Sequence, residues 1–397
     1  MPDLFESPNP IINPARIASA RMRRGFTMTF FAQKIGVDLK TLGAYEKGGS
    51  VPTPPIMDRI CSATGFPVEF FYRDDLEIPG NVSFRSLSRM SSRQRDMAIS
   101  QGSLALELSA WLNEKFELPP CNLPDLGSEA SDMEAAAASV RRVWNLGEMP
   151  IRNMIHLLEA NGIRVFSLSI DAIEVDAFSM WSGGNPVIML NTFKSAERSR
   201  FDAAHELAHL VLHRHGGPNS NREAEVQADA FASAFLMPKG SVEANAPTFP
   251  TVAELIRLKK IWGVAATALN YRLHKLGLLT DWHYRRLCVQ LSARGHRSEE
   301  PQGMARESSA ILPKLLTNLY QEDNLTRSAI ARDLAFPVSE LNYLLFGLTI
   351  SAIESPIPRR GNPRLKTGGS GLQLVERITS TSEPSQPSLQ LPSVYED

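Results

Sequence analysis

Cysteine is scarce in this chain. Cys61, Cys121 and Cys288 are odd in number and scattered over 397 residues, which argues against a disulfide framework and against a cysteine metal site, and fits a reducing compartment. Long apolar runs are missing too. No stretch approaches the 18 apolar residues of a membrane span, and Met1-Pro-Asp-Leu-Phe-Glu has no basic segment ahead of an apolar core. The expectation is a cytoplasmic protein, neither secreted nor membrane-spanning. An excess of one charge is also lacking, since 42 Lys+Arg face 43 Asp+Glu for a net charge of −1. The chain as a whole has no attraction to nucleic acid, so any such contact must come from a locally basic face. What remains, 43% hydrophobic and 21% charged, is an ordinary globular composition long enough for two to four domains.

Histidine is sparse as well, at 8 residues, yet two of them fall in Phe201-Asp-Ala-Ala-His205-Glu206-Leu-Ala-His209-Leu-Val211. The i, i+4 spacing puts both imidazoles on one helix face, where they can meet a single zinc ion. Glu206 stands beside the first ligand, where a carboxylate can take a proton from water and pass it to a leaving amine. Phe201, Ala204, Ala208, Val211 and Leu212 supply an apolar stripe, and Ser195 is a suitable N-cap. A third protein ligand has two candidates. Glu225, in Glu225-Val-Gln-Ala-Asp229, shares a helix face with Asp229, which can accept the far N–H of a ligand histidine; Glu223 is off that face. His215 has the six-residue interval of the metzincins, but that interval needs a helix break, normally at glycine, where this chain has Leu212. His213 lies roughly 12 Å along the helix from His205, too far to share one ion. It reads as a packing or supporting residue.

Ala-His-Glu-Leu-Ala-His-Leu, followed by Glu-Val-Gln-Ala-Asp-Ala-Phe-Ala and Phe-Leu-Met-Pro, resembles the ImmA/IrrE family of zinc metallopeptidases from about Trp144 to Leu279. The resemblance implies zinc on His205, His209 and Glu225, with Glu206 as the catalytic base. It further implies a transcriptional repressor or antitoxin as the substrate.

The N-terminal stretch from Pro14 to about Tyr72 divides into five short helical patterns, among them Ala15 to Arg23, a helix opening at Thr27 or Thr29, and Leu39 to Glu46. Two helices joined by a glycine-containing turn make a helix-turn-helix. Phe-Ala-Gln-Lys-Ile-Gly-Val with Leu-Gly-Ala-Tyr-Glu-Lys-Gly resembles the XRE, or phage-repressor, class. By that resemblance the third helix enters the major groove of duplex DNA, with Gln33, Lys40, Thr41 and Lys47 at the contact. Residues 14–60 hold eight Lys/Arg against three Asp/Glu, so this module is basic although the chain is not. Gly43 departs from expectation, because glycine inside a helix costs roughly 1 kcal/mol relative to alanine.

The remaining segments give an expected order of 14–72 DNA-binding bundle, 73–131 linker and helical connector, 132–280 peptidase domain, 281–354 helical region and 355–397 disordered tail. Three strand-like runs, 163–168, 175–180 and 185–191, precede the metal helix. The expected fold class is therefore an all-α bundle followed by a mainly helical, α+β zincin-like domain with a small antiparallel sheet, whose last strand offers a free edge to an extended peptide. Thr251 to Leu279 and Leu325 to Phe346 mimic the helix-turn-helix pattern, and packing is the expected role of both. Two functions from different classes fit: a DNA-binding zinc endopeptidase, or a transcription regulator whose zinc domain senses a ligand or partner without cutting. A homodimer is one expected assembly.

Overall fold

A computed structural model describes residues 11–78, 91–126, 131–168, 177–213, 221–296 and 299–349. The expected tail, the candidate ligand His215 and the first residues of the second strand-like run lie outside these ranges.

The N-terminal bundle begins with α1 (Pro14–Arg23), where Asn13 accepts from the Ala15 N–H and Pro14 occupies the first turn, a position that needs no N–H donor. Thr27 caps α2 (Met28–Ile35) and Asp38 caps α3 (Leu39–Glu46). Between them Gly36 turns the chain at φ +70°, the left-handed conformation that glycine adopts without penalty. After α4 (Pro54–Thr64), the fifth pattern is a 3₁₀ turn, Val68–Tyr72. Ile17, Ala20, Phe31, Ile35, Leu42, Ile60, Phe70 and Phe71 are buried together in the core of this bundle.

The helix expected in the connector is α5 (Ser92–Lys115), long and buried along one face, started by a Ser91/Gln94 capping box. Its buried face includes Ser100, Gly102, Ser103 and Ala105, small residues that permit close backbone approach and dilute the apolar periodicity read from the sequence. A Cβ on Gly102 would lie 3.3 Å from Met180 Sδ and from the Phe178 ring. The opposite partner of α5 is α1, where Arg16 makes a two-pronged ion pair with Glu107 at 3.1 and 3.2 Å.

Two short helices, α6 (Met133–Val143) and α7 (Met154–Ala160), lead into the sheet of β1 (Arg164–Ser167), β2 (Ala177–Ser182) and β3 (Asn185–Leu190). Gly183 and Gly184, at φ +51° and +87°, close the β2–β3 hairpin with Ser182 opposite Asn185. The sheet is mixed. The antiparallel pairing holds for β2 and β3, whereas β1 runs parallel to β3, and the order is β1-β3-β2. This corrects the expected free edge. β3 is central and bonded on both sides, so among the described residues the outer strands of the sheet are β1 and β2.

The metal-motif helix is α8 (Ala196–Leu212), capped by Ser195 as expected, and it packs on β2, β3 and α9 (Asn221–Leu236). After α10 (Lys239–Asn245) come α11 (Val252–Trp262) and α12 (Ala266–Lys275), joined through Gly263 at φ +63°. They brace the start of α8: buried Lys259 pairs with Glu197 at 2.8 Å and with Glu300 at 3.0 Å. The helical C-terminal region comprises α13 (Asp281–Ala293), α14 (Ile311–Asp323), α15 (Arg327–Asp333) and α16 (Val338–Leu345).

Candidate metal centre and DNA-facing helices

His205 and His209 project from α8 toward Glu225 on α9. His205 Nε2 lies 3.1 Å from His209 Nε2 and 3.3 Å from Glu225 Oε2, and His209 Nε2 lies 3.4 Å from Glu225 Oε1. A tetrahedral zinc with bonds of about 2.0–2.1 Å holds its ligand atoms about 3.3–3.4 Å apart, so the donor types and their spacing fit that ion. Among the described residues this is the only such cluster of three or more potential ligands.

Each histidine is oriented from behind. His205 Nδ1 donates to Asp229 Oδ1 at 2.9 Å, which leaves Nε2 as the nitrogen that faces the cluster. Behind His209 the chain of partners is longer: His209 Nδ1 is 2.9 Å from His213 Nδ1, and His213 Nε2 is 3.1 Å from Gln227 Oε1. A carbonyl oxygen can only accept, so His213 donates from Nε2 and accepts at Nδ1. His209 must then donate from its own Nδ1, and its Nε2 is again the nitrogen left to bind an ion. His213, read from spacing as too distant for the ion, occupies a supporting place.

The electrostatics show how strongly this cluster draws positive charge. Burial alone would push His205 down, but hydrogen bonds to Asp229 and Glu225, with the Glu206 charge behind them, push it up to about 10. Burial alone would raise Glu225, yet the bonds from His205 and His209 hold it at about 2. These are two views of one interaction, a carboxylate attracting the positive charge nearest to it.

Glu206 points from α8 toward the sheet and is 3% exposed. Its Oε2 accepts a 2.7 Å hydrogen bond from Ser179 Oγ on β2. Neither Ser179 nor Gln227 was marked by sequence reasoning. Ser179 had a faint signal, a lone hydroxyl in the apolar run Ala177-Phe-Ser-Met180; Gln227 had none.

At the N-terminus, Gln33, Lys40 and Lys47 are exposed on α2, on α3 and just after it. Thr41 is half-buried, and its hydroxyl donates to Asp38 at 2.8 Å while its N–H donates to the same carboxylate at 2.7 Å. The backbone and hydroxyl donors of Thr41 hold the Asp38 carboxyl below its usual range. A Cβ on Gly43 would meet nothing within 4 Å, so that face of α3 is open.

Two family models match the chain. Residues 17–71 match a family model described as helix-turn-helix, and residues 158–274 match one described as IrrE N-terminal-like domain. No curated protein matches the chain. No helix among the described residues is long and apolar enough to cross a membrane. The chain thus joins, in that order, an XRE-type helix-turn-helix DNA-binding domain to an ImmA/IrrE-like peptidase domain.

Proposed function

We propose that this chain is a zinc-dependent endopeptidase carried on a DNA-binding module, and that it cleaves a repressor- or antitoxin-like protein. His205, His209 and Glu225 hold the ion. Zinc, when bound, supplies a Lewis acid that polarises the scissile carbonyl and acidifies water. Glu206 takes the proton from the attacking water and delivers it to the leaving amine nitrogen. Ser179 fixes Oε2 of that carboxylate, so Oε1 handles the proton. Outer strand β2, which carries Ser179, offers main-chain groups along which an extended peptide can pair. Gln33, Lys40 and Lys47 face DNA.

The observation that carries this reading is the buried Glu206 carboxylate, adjacent to the ligand trio and oriented by a hydroxyl from the outer strand. A sensor that never cuts needs the trio but has no use for Glu206, which ranks that second reading lower. The test is co-expression with the repressor encoded nearest to the gene, comparing the parent with Glu206→Gln. Loss of cleavage with zinc content and DNA binding retained supports the peptidase. If Glu206→Gln relieves repression as fully as the parent while His205→Ala does not, the zinc domain is a sensor.

A further inference from the structure

The C-terminal region outside both family matches repeats the architecture of the DNA-binding bundle. Residues 313–347 align with 14–48 without an insertion, from Pro14 and Pro313 in the first turns of α1 and α14 to Gly48 and Gly347 after α3 and α16. All three left-handed turn positions coincide: Gly25 with Asn324, Gly36 with Ala335 and Gly48 with Gly347, at φ +61°/+54°, +70°/+55° and +75°/+69°. The buried positions coincide as well, pairing Ile17 with Leu316, Ala20 with Leu319, Phe31 with Ile330, Ala32 with Ala331, Ile35 with Leu334, and Leu42 with Leu341. Thr27 and Thr326 cap α2 and α15 in the same way, each accepting from the N–H three residues on. Even the turn bonds repeat: Val37 N–H to Ala32 O at 3.0 Å, and Phe336 N–H to Ala331 O at 2.7 Å.

The surface chemistry does not repeat. Lys34, Lys40 and Lys47 of the first unit are matched by Asp333, Ser339 and Phe346, so the cations that would meet phosphate are gone. Two of the replacements engage protein. Asp333 accepts from Trp111 Nε1 of α5 at 2.6 Å, and Phe346 stacks on Phe193 with ring centroids 4.7 Å apart. Thr41 is matched by Glu340, which has no exposed surface; its carboxylate takes Arg23 Nε at 2.8 Å and Arg24 Nη1 at 2.7 Å, both from the end of α1.

We propose that residues 313–347 are a second helix-turn-helix whose reading helix, α16, binds protein in place of DNA, its occupant being the chain's own N-terminal DNA-binding bundle. Glu340 stands where a DNA-reading side chain would and offers an anion to arginines instead. Two cations closing on one buried carboxylate depend on it, because removing the shared anion leaves both without a counter-charge, although Arg24 keeps its bond to the Thr64 carbonyl. The dock fixes the DNA-binding bundle to the rest of the chain whether or not the peptidase cuts.

The test compares full-length parent, Glu340→Gln and Arg24→Gln by hydrogen exchange, together with Arg332→Ala and Asn342→Ala on the exposed side of the second unit. Glu340→Gln should raise exchange about tenfold or more in 14–23 and 338–345 together, leaving 196–212 and 221–236 unchanged. Arg24→Gln, which touches the same carboxylate from its more exposed side, should do so to a smaller degree, and it decides the matter if Glu340→Gln fails to fold. Binding of a fluorescent random-sequence duplex at low salt should fall for Lys40→Ala and not for Arg332→Ala or Asn342→Ala. Unchanged exchange in 14–23 in the variants that fold would overturn the dock. Loss of duplex binding by Arg332→Ala or Asn342→Ala equal to that of Lys40→Ala would make the second unit a DNA reader.

Discussion

Ser179 on the outer strand and Glu206 on the metal-motif helix are joined by a 2.7 Å hydrogen bond in which the hydroxyl donates to Oε2. A hydrogen bond to a charged partner contributes about 1.5–3 kcal/mol, and its loss at a buried carboxylate leaves that oxygen unsatisfied. Ser179→Ala should therefore lower the rate of substrate cleavage by about one to two powers of ten with zinc content unchanged. Ser179→Thr, which keeps the hydroxyl, should recover much of the rate. Equal rates for the alanine variant and the parent would remove Ser179 from the proposed scheme.

Metal binding should be one zinc per chain. His205→Ala, His209→Ala or Glu225→Ala should each reduce bound zinc substantially, measured by elemental analysis after dialysis. The supporting residues should matter less but measurably: Asp229→Ala and Gln227→Ala should weaken zinc about 10–100-fold through the orientation of His205 and His209. Glu223→Ala is the control and should change nothing. Full zinc in Glu225→Ala with loss in His215→Ala would move the third ligand to His215.

Removal of zinc should make stability depend on pH in a defined window. In the metal-free protein His205 is held at about 10 against an ordinary 6.5. A raised value means that the protonated ring stabilises the fold fully below 6.5 and that this contribution is lost as pH rises through about 10. Glu225, held at about 2 against an ordinary 4.5, contributes above 4.5 and loses its contribution as pH falls through about 2. Both belong to one ion pair and are counted once. The melting temperature of chelator-treated protein should fall between pH 6.5 and 10, and the zinc-loaded protein should lack that particular slope. A flat profile for the metal-free form would show that His205 carries no such proton.

Gly43 allows stability and DNA binding to be separated. Alanine at a helical position with open space around it stabilises by about 0.5–1 kcal/mol, partly by restricting the unfolded chain. Gly43→Ala should raise the melting temperature and, if α3 approaches DNA closely there, weaken duplex binding. Tighter or unchanged binding would place the DNA backbone away from Gly43. Lys40→Ala and Lys47→Ala should each weaken binding and flatten its salt dependence by about one counterion.

The His205/His209/Glu225 cluster was legible because it is written in local spacing: His205 with His209, and Glu225 with Asp229, are i, i+4 pairs on α8 and α9. The five N-terminal elements were legible through their punctuation, with Thr27, Asp38 and Gly36 where caps and turns require them. What stayed hidden depends on the meeting of distant segments. The parallel pairing of β1 with β3 cannot be read from either run alone, and the outer position of β2 follows from it. The helix of the connector was read, but its burial was not, because the buried face of α5 includes serine, glycine and alanine, which sequence periodicity counts as polar or neutral. The repeated unit at 313–347 escaped as more than a resemblance of pattern because Gly25 and Gly36 are matched there by Asn324 and Ala335, removing two of the punctuation marks that betray the first copy.

Gly102 gives the middle of α5 a meaning for genetics. Its neighbours Phe178 and Met180 flank Ser179 on β2, and a single added methyl would press on both. The helix could accommodate such a side chain with ease, since alanine favours helices over glycine, so the damage would fall on the position of the strand. An unbiased screen for alleles that abolish function while leaving the protein abundant should therefore return residue 102, far in sequence from every group that performs chemistry.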